Sequence, residues 1–312
     1  MDFHENLFDL KKAEKQIKDY IGFVHRNKMQ GSFWKNLMAQ NLSHLVFYIG
    51  DFAMKWIPRP HRETQSQWFG KSGVPWHIGV FLRIIMMNGI PMIETEGHIS
   101  VLDDDSIQDS NTVLALMKAS FAVYKKAHPE VTELTICSDC AGAYRNEKVI
   151  VGLWSLRNGG IAKGLKINGS YFSEPGGGKS RADTFGAVAK NHVAKALDSK
   201  QDADTAIKFA EALYFRDGIA NGVIFCGGIK NKTPMPKSKQ IPELQQYRHF
   251  EYHNTGTNVK KVSDIGEGKI ISLKPIPTDP TYDYEIVNMH IAIGKIFSRK
   301  EDIFSSNQAW KN

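Results

Sequence analysis

The chain is 312 residues long, 42% apolar and 23% charged, a balance that excludes a disordered or fibrous protein and allows one large domain or two modest ones. Its 40 Lys and Arg against 33 Asp and Glu leave a net charge of +7, compatible with a polyanionic partner but too small to assign one. Three cysteines, Cys137, Cys140 and Cys226, exclude a disulfide scaffold, and no run approaches the roughly 18 apolar residues of a membrane span.

The first twenty residues are charged and lack the apolar core of a signal peptide, so a soluble intracellular protein without a membrane partner is expected. From Asn6 to Gln40 apolar residues (Leu7, Leu10, Ala13, Ile17, Tyr20, Ile21, Val24) recur every three or four positions, which predicts helix. The run HLVFYIGDF (His44–Phe52) predicts a buried strand. A proline- and glycine-rich loop follows, then a strand at WHIGVFLRIIMM, a turn at NGIP and a third strand at MIETEGHISVLDD. A helix is predicted after Asp109 and Ser110, its candidate caps, and before Pro129. VTELTICSD predicts a fourth strand, AGAYRNEKVIVGLWSLRNGG a helix, GLKINGSYFSE a fifth strand and SRADTFGAVAKNHVAKALDS a helix. Beyond these lie one more helix (DADTAIKFAEALYF), one more strand (IANGVIFCGG) and a tail of short strands. That tail is read either as a small appendage or as edge strands folding back.

The order βββαβαβα is that of the ribonuclease H-like fold, a mixed five-stranded sheet. The expected organisation is a helical N-terminal segment (1–43), that core (44–200) and a small C-terminal α/β extension (201–312). The acids fall at telling places. Asp51 ends the first strand, Asp139 ends the fourth, and Asp183 lies in the first turn of the helix after the fifth. Carboxylates from separate elements are what two Mg²⁺ or Mn²⁺ ions need to work on a phosphodiester. Each aspartate alone also suits a turn or a cap. Glu174 is the rival third ligand, and Asp103, Asp104 and Asp105 read as a solvated turn.

The stretch YFSEPGGGKSRADTFG approaches the P-loop pattern, but Ser173 stands where its first glycine belongs, and the segment follows five strands rather than one. A P-loop-like nucleotide-binding protein is therefore a second alternative. Gly177, Gly178 and Lys179, just before a helix N-terminus, suit a nucleic-acid phosphate, or else form a plain turn. Lys190 and Lys195 on the same helix are candidates for tracking a backbone. Arg59, Arg62 and Lys71, interleaved with Trp56, Trp68 and Phe69, are the equipment for pairing phosphates and stacking bases, or else a solvated loop over buried tryptophans. The C-x-x-C of Cys137 and Cys140 would need His98, His192 or His253 to complete a zinc site, and buried strand-end thiols are the simpler reading. His44, His77 and His98 read as structural.

Four segments, DFAMKW with its downstream QSQWFGKSG and WHI, SDCAGAYRN, FSEPGGGKSRADTFGAVAKNHV and DIGEGKII, carry a resemblance. They are similar to transposon-derived, ribonuclease H-like transposase or integrase proteins of animal genomes, from Leu45 to Ile271. Gly178, Lys179, Asp183, Gly186, Ala187 and Lys190 match the pattern. Ala182 stands where a cysteine is common, and Cys140 where asparagine or glycine is usual. The resemblance implies metal-dependent cleavage or strand transfer on DNA, with a place in the nucleus; the sequence does not exclude RNA as the substrate. A domesticated DNA-binding protein with a vestigial acid cluster is the first alternative. Oligomeric state and target sequence are not legible.

Overall fold

The computed structural model describes residues 3–40, 42–61, 71–103, 106–174, 181–230, 239–262, 265–276, 283–291 and 296–299. The architecture is mixed α/β. Strands β1 (Leu45–Phe52), β2 (Trp76–Met87) and β3 (Ile90–Leu102) form an antiparallel meander. Asn88 and Gly89 turn the chain between β2 and β3 with φ of 51° and 78°, the left-handed pair that a two-residue hairpin requires. β4 (Glu133–Ser138) lies parallel to β1, and β5 (Lys166–Phe172) parallel to β4, so the central order is β3-β2-β1-β4-β5.

The sheet continues past both ends of this order. On one side β6 (Gly222–Lys230) runs parallel to the second half of β3, and β10 (Asp283–Ile291) runs antiparallel to β6. β11 (Ile296–Arg299) pairs the first half of β3. On the other side β7 (His249–His253), β8 (Gly256–Lys260) and β9 (Lys269–Ser272) add an antiparallel series to β5. The tail strands are thus edges of the main sheet, the second of the two arrangements open in the sequence. The sheet and its core run without a break across residue 200.

The helices are α1 (Phe3–Ala39), α2 (Ser110–Ala127), α3 (Glu147–Leu156), α4 (Arg181–Asp198) and α5 (Ala206–Leu213). α2 starts where the sequence says it should: the Asp109 carboxylate accepts from the amides of Asn111 and Thr112 at 3.1 and 2.9 Å. α2 and α3 cover one face of the sheet, packing Val113, Leu114, Phe121 and Ile150 against Val46, Tyr48, Leu134 and Ile136. α4 and α5 cover the other, packing Phe185, Ala189, Val193 and Phe209 against Phe47, Ile78 and Val80. With both faces covered, the central strands read as continuous apolar runs rather than alternating ones. Among the described residues no helix is long and apolar enough to cross a membrane.

The approach of α4 to the sheet is set by missing side chains. The Phe185 ring occupies the space that a Cβ at Gly97 of β3 would fill, and a Cβ at Gly186 would come within 2.8 Å of Ile78 Cδ1. Gly97→Ala should therefore push Phe185 off β3 and cost about 1–3 kcal/mol. Denaturant unfolding measures it, and an unchanged midpoint would contradict this packing.

Candidate catalytic carboxylate cluster

β1 and β4 run parallel with Gly50 paired to Ser138, so the next residue along each strand direction, Asp51 and Asp139, stands level with the other. The strand period of two fixes their face. Leu45 and Phe47 pack under α4 and α5, which puts Asp51 on that face. Leu134 and Ile136 pack under α2 and α3, which puts Asp139 on the opposite face from them, the face of Asp51. Asp183 arrives from above, in the first turn of α4.

Asp51 is half-buried, whereas Asp139 and Asp183 are exposed. The Asp139 Oδ1 accepts from the Ala141 amide at 2.9 Å, which fixes the carboxylate at the strand end. Burial, then the charge of Asp139, then that of Asp183 push the Asp51 carboxyl up to about 7. A hydrogen bond to the Phe52 backbone opposes them without winning. No lysine or arginine among the described residues bridges Asp51 or Asp139. Asp51 and Asp139 are thus held close as like charges with no lysine or arginine of the described residues between them. That donor set, all hard carboxylate oxygen, fits Mg²⁺ or Mn²⁺. Among the described residues, however, no group of three or more His, Cys, Asp or Glu stands in ready coordinating geometry.

Glu174, the rival ligand, belongs to another constellation. It is buried, its Oε1 lies 3.0 Å from Arg26 Nε of α1 and 3.9 Å from Arg248 Nε, and it ties the end of β5 to α1 and β7. Gly177, Gly178, Lys179 and Arg62 lie outside the described residues, as do Trp68 and Phe69. Lys190 is exposed on α4, two turns beyond Asp183. Arg59 is exposed, with its guanidinium 5.8 Å from the Trp56 ring centroid. Trp56 itself stacks on Phe209 at 4.9 Å and donates to Ala203 O at 2.9 Å, so this tryptophan serves the core. Lys71 Nζ donates to Pro58 O at 2.6 Å. Cys137 is partly buried, its thiol pushed up to about 12 by desolvation, and Cys140 donates to Ser173 O at 2.8 Å. Both thiols stay protonated at neutral pH, as structural cysteines do.

Two groups escape a reading of the sequence. Beneath the aspartates, on the α2 face, the hydroxyls of Tyr48 and Tyr144 and both ring nitrogens of His77 are buried without hydrogen-bond partners. Burial holds the His77 imidazole down to about 3, so it is neutral. Farther along the sheet, Glu96 accepts from His98 at 2.8 Å and His128 at 2.9 Å. Burial works against the Glu96 carboxylate, but these hydrogen bonds outweigh it and hold its pKa to about 2. Arg83 pairs Glu94 and Glu130 beside it. Glu96 and His98 share one face of β3, Arg83 reaches Glu94 across the β2–β3 pair, and the end of α2 brings His128 to them.

A family model described as Domain of unknown function (DUF8701) matches residues 23–222, well over half of the chain. The chain belongs to the DUF8701 family. The matched DUF8701 span begins inside α1, ends at the first residue of β6 and contains all three aspartates. Neither the curated proteins nor the solved structures contain a match to it.

Asp51 gives a stability test. A carboxyl raised in the folded state favours folding below its unfolded value of 3.8, and this contribution is lost as pH rises through about 7. In EDTA, Asp51→Asn should match wild type near pH 4 and exceed it by about 2 kcal/mol at pH 8, the full shift being discounted for partial solvent screening. Urea unfolding at both pH values measures the difference, and a gap independent of pH would contradict the clustering.

Proposed function

We propose that this protein is a ribonuclease H-like, divalent-metal-dependent enzyme that cleaves or transfers DNA strands, in the manner of a transposase or integrase. The observation that carries this reading is the convergence of Asp51, Asp139 and Asp183, with the Asp51 carboxyl pushed up to about 7 by burial and by its two companions. The order β3-β2-β1-β4-β5, with β2 antiparallel to its neighbours and a helix before each of β4 and β5, supports the finer fold assignment.

Asp51, Asp139 and Asp183 would hold Mg²⁺ or Mn²⁺, which when bound supplies activation of an attacking water or 3′-hydroxyl and stabilisation of the leaving oxygen. The chain's own contribution is placement. Asp51 and Asp139 sit at the ends of paired central strands, so their separation is fixed by the sheet. Asp183 rides on a helix seated against that sheet by Phe185 and Gly186. Lys190 and the net charge of +7 favour a polyanion alongside α4. Phosphate capture by Gly177, Gly178 and Lys179 belongs to the same reading.

A second reading, a DNA-binding protein without catalysis, draws on the lack of three ready metal ligands among the described residues. Nicking of supercoiled plasmid in Mn²⁺ separates the two. Wild type should nick, Asp139→Asn should lose at least about 100-fold, because even outer partners of a metal are worth 10–100-fold, and DNA affinity should be retained. Absence of metal-dependent nicking by wild type would overturn the enzymatic reading.

A further inference from the structure

We infer that Arg145 and Arg248 form a phosphate-binding site that grips a nucleic-acid strand where it passes Asp139. The choice of a nucleic-acid strand rests on the reading proposed above. The convergence of the two arginines is observed directly.

Both are carried to the end of the sheet from which Asp139 emerges. The Asp139 carboxylate accepts from the Ala141 amide at 2.9 Å, and the Ala141 carbonyl accepts from the Arg145 amide at 2.9 Å. One turn therefore ties Asp139 to Arg145. The Arg145 side chain also reaches the sulfur of Cys140, the residue after Asp139. Ser138, the residue before Asp139, pairs with Phe172 of β5, and the Phe172 amide donates to Arg248 O at 2.8 Å. Arg248, directly before β7, thus stands level with the end of β4.

The side chains then meet. Arg145 Nη1 and Arg248 Nη1 both donate to Gln245 O, at 3.2 and 2.8 Å, and Arg145 Nη2 donates to Gln245 Oε1 at 2.5 Å. Two guanidiniums that share one carbonyl oxygen repel each other across a neutral group. Carboxylates relieve this little. Glu174 lies 3.9 Å from Arg248 Nε but only 3.0 Å from Arg26 Nε, so it is held more closely by Arg26. No acid among the described residues pairs Arg145, and its Nε is buried without a hydrogen-bond partner. Both arginines remain partly exposed.

Charge, shape and place name the occupant. Under-neutralised planar forks suit an anion with several oxygens, and phosphate is bound by arginine in this way. Asp139 belongs to the cluster assigned to phosphodiester chemistry, so the anion beside it is a neighbouring phosphate of the same strand. Such a contact positions the strand and reads no sequence.

Binding of labelled oligo(dT) to the full chain in EDTA, followed by fluorescence anisotropy over a salt series, tests this. Wild type should bind, with affinity falling as salt rises. Arg145→Gln should flatten the plot of log affinity against log salt by about 0.7, the value for one phosphate of a single strand, and weaken binding about fivefold near 0.1 M salt. Arg248→Gln, checked for folding by circular dichroism, should act likewise. Arg145→Lys should keep the wild-type slope, which charge alone sets. Lys166→Gln, which removes an exposed cation at the far end of β5, should change neither slope nor affinity. A purely structural link between Arg145 and Gln245 would lower the melting temperature and leave the slope alone. An unchanged slope in Arg145→Gln, an equal effect of Lys166→Gln, or a wild type that does not bind would overturn the proposal. The plasmid assay fails separately. A wild type that nicks, with a slope indifferent to Arg145, keeps the enzymatic reading and loses this site. A wild type that does not nick, with a slope that depends on Arg145, does the reverse.

Discussion

The parallel pairing of β1 with β4 is the constraint on which the rest depends. It does two things at once. Its register brings Asp51 level with Asp139, and the alternation of side chains along both strands turns the two carboxylates to one face. Neither strand has freedom to adjust, because each is buried on both sides, and a slip of one residue would exchange every core contact for the opposite face. The repulsion between the carboxylates is therefore held by the packing of the whole sheet. Burial first, and then that repulsion, leave a carboxyl at Asp51 that is only part-ionised near neutral pH.

The surrounding elements keep the third acid in place. α4 approaches the sheet closely because Gly97 and Gly186 leave room for Phe185 and Ile78. The same helix buries a row of small residues, Ala182, Ala189 and Ala196, so its N-terminus has one seating on the sheet. Around the site the charges are sorted. Glu174 is neutralised by Arg26 and Arg248, and Glu94 and Glu130 by Arg83, whereas Asp51 and Asp139 have no such partner among the described residues. The contrast singles out Asp51, which is half-buried beside Asp139.

Much of this was legible in the sequence. The apolar runs of β1 to β5 are long and bounded by turn residues, and the cap at Asp109 and the Asn88–Gly89 turn are short-range chemistry that survives folding unchanged. Asp51 and Asp139 stood out because strand ends in a parallel pair converge whatever the loops do. The pairings that depend on distant partners were not legible. Nothing near Glu174 announces Arg26 or Arg248, and nothing near Trp56 announces Phe209. β10 escaped notice because it lies at the edge of the sheet with one solvated side and a broken apolar pattern: Val287, Met289 and Ile291 are exposed. The stripe on α1 was visible as helical spacing, but the exposure of Leu10, Ile17, Ile21 and Val24 could be seen only in three dimensions.

Calorimetric titration of the metal-free protein with Mn²⁺, in two buffers of different ionisation enthalpy, addresses the carboxylate cluster most directly. Near pH 6.5, saturable binding should be accompanied by release of part of a proton, because a cation favours the ionised form of an Asp51 carboxyl whose pKa stands at about 7. The released fraction should vanish toward pH 9, and Asp51→Asn should abolish it together with most of the affinity. Binding that releases no proton at pH 6.5, or that survives Asp51→Asn intact, would place the cation elsewhere and contradict the account.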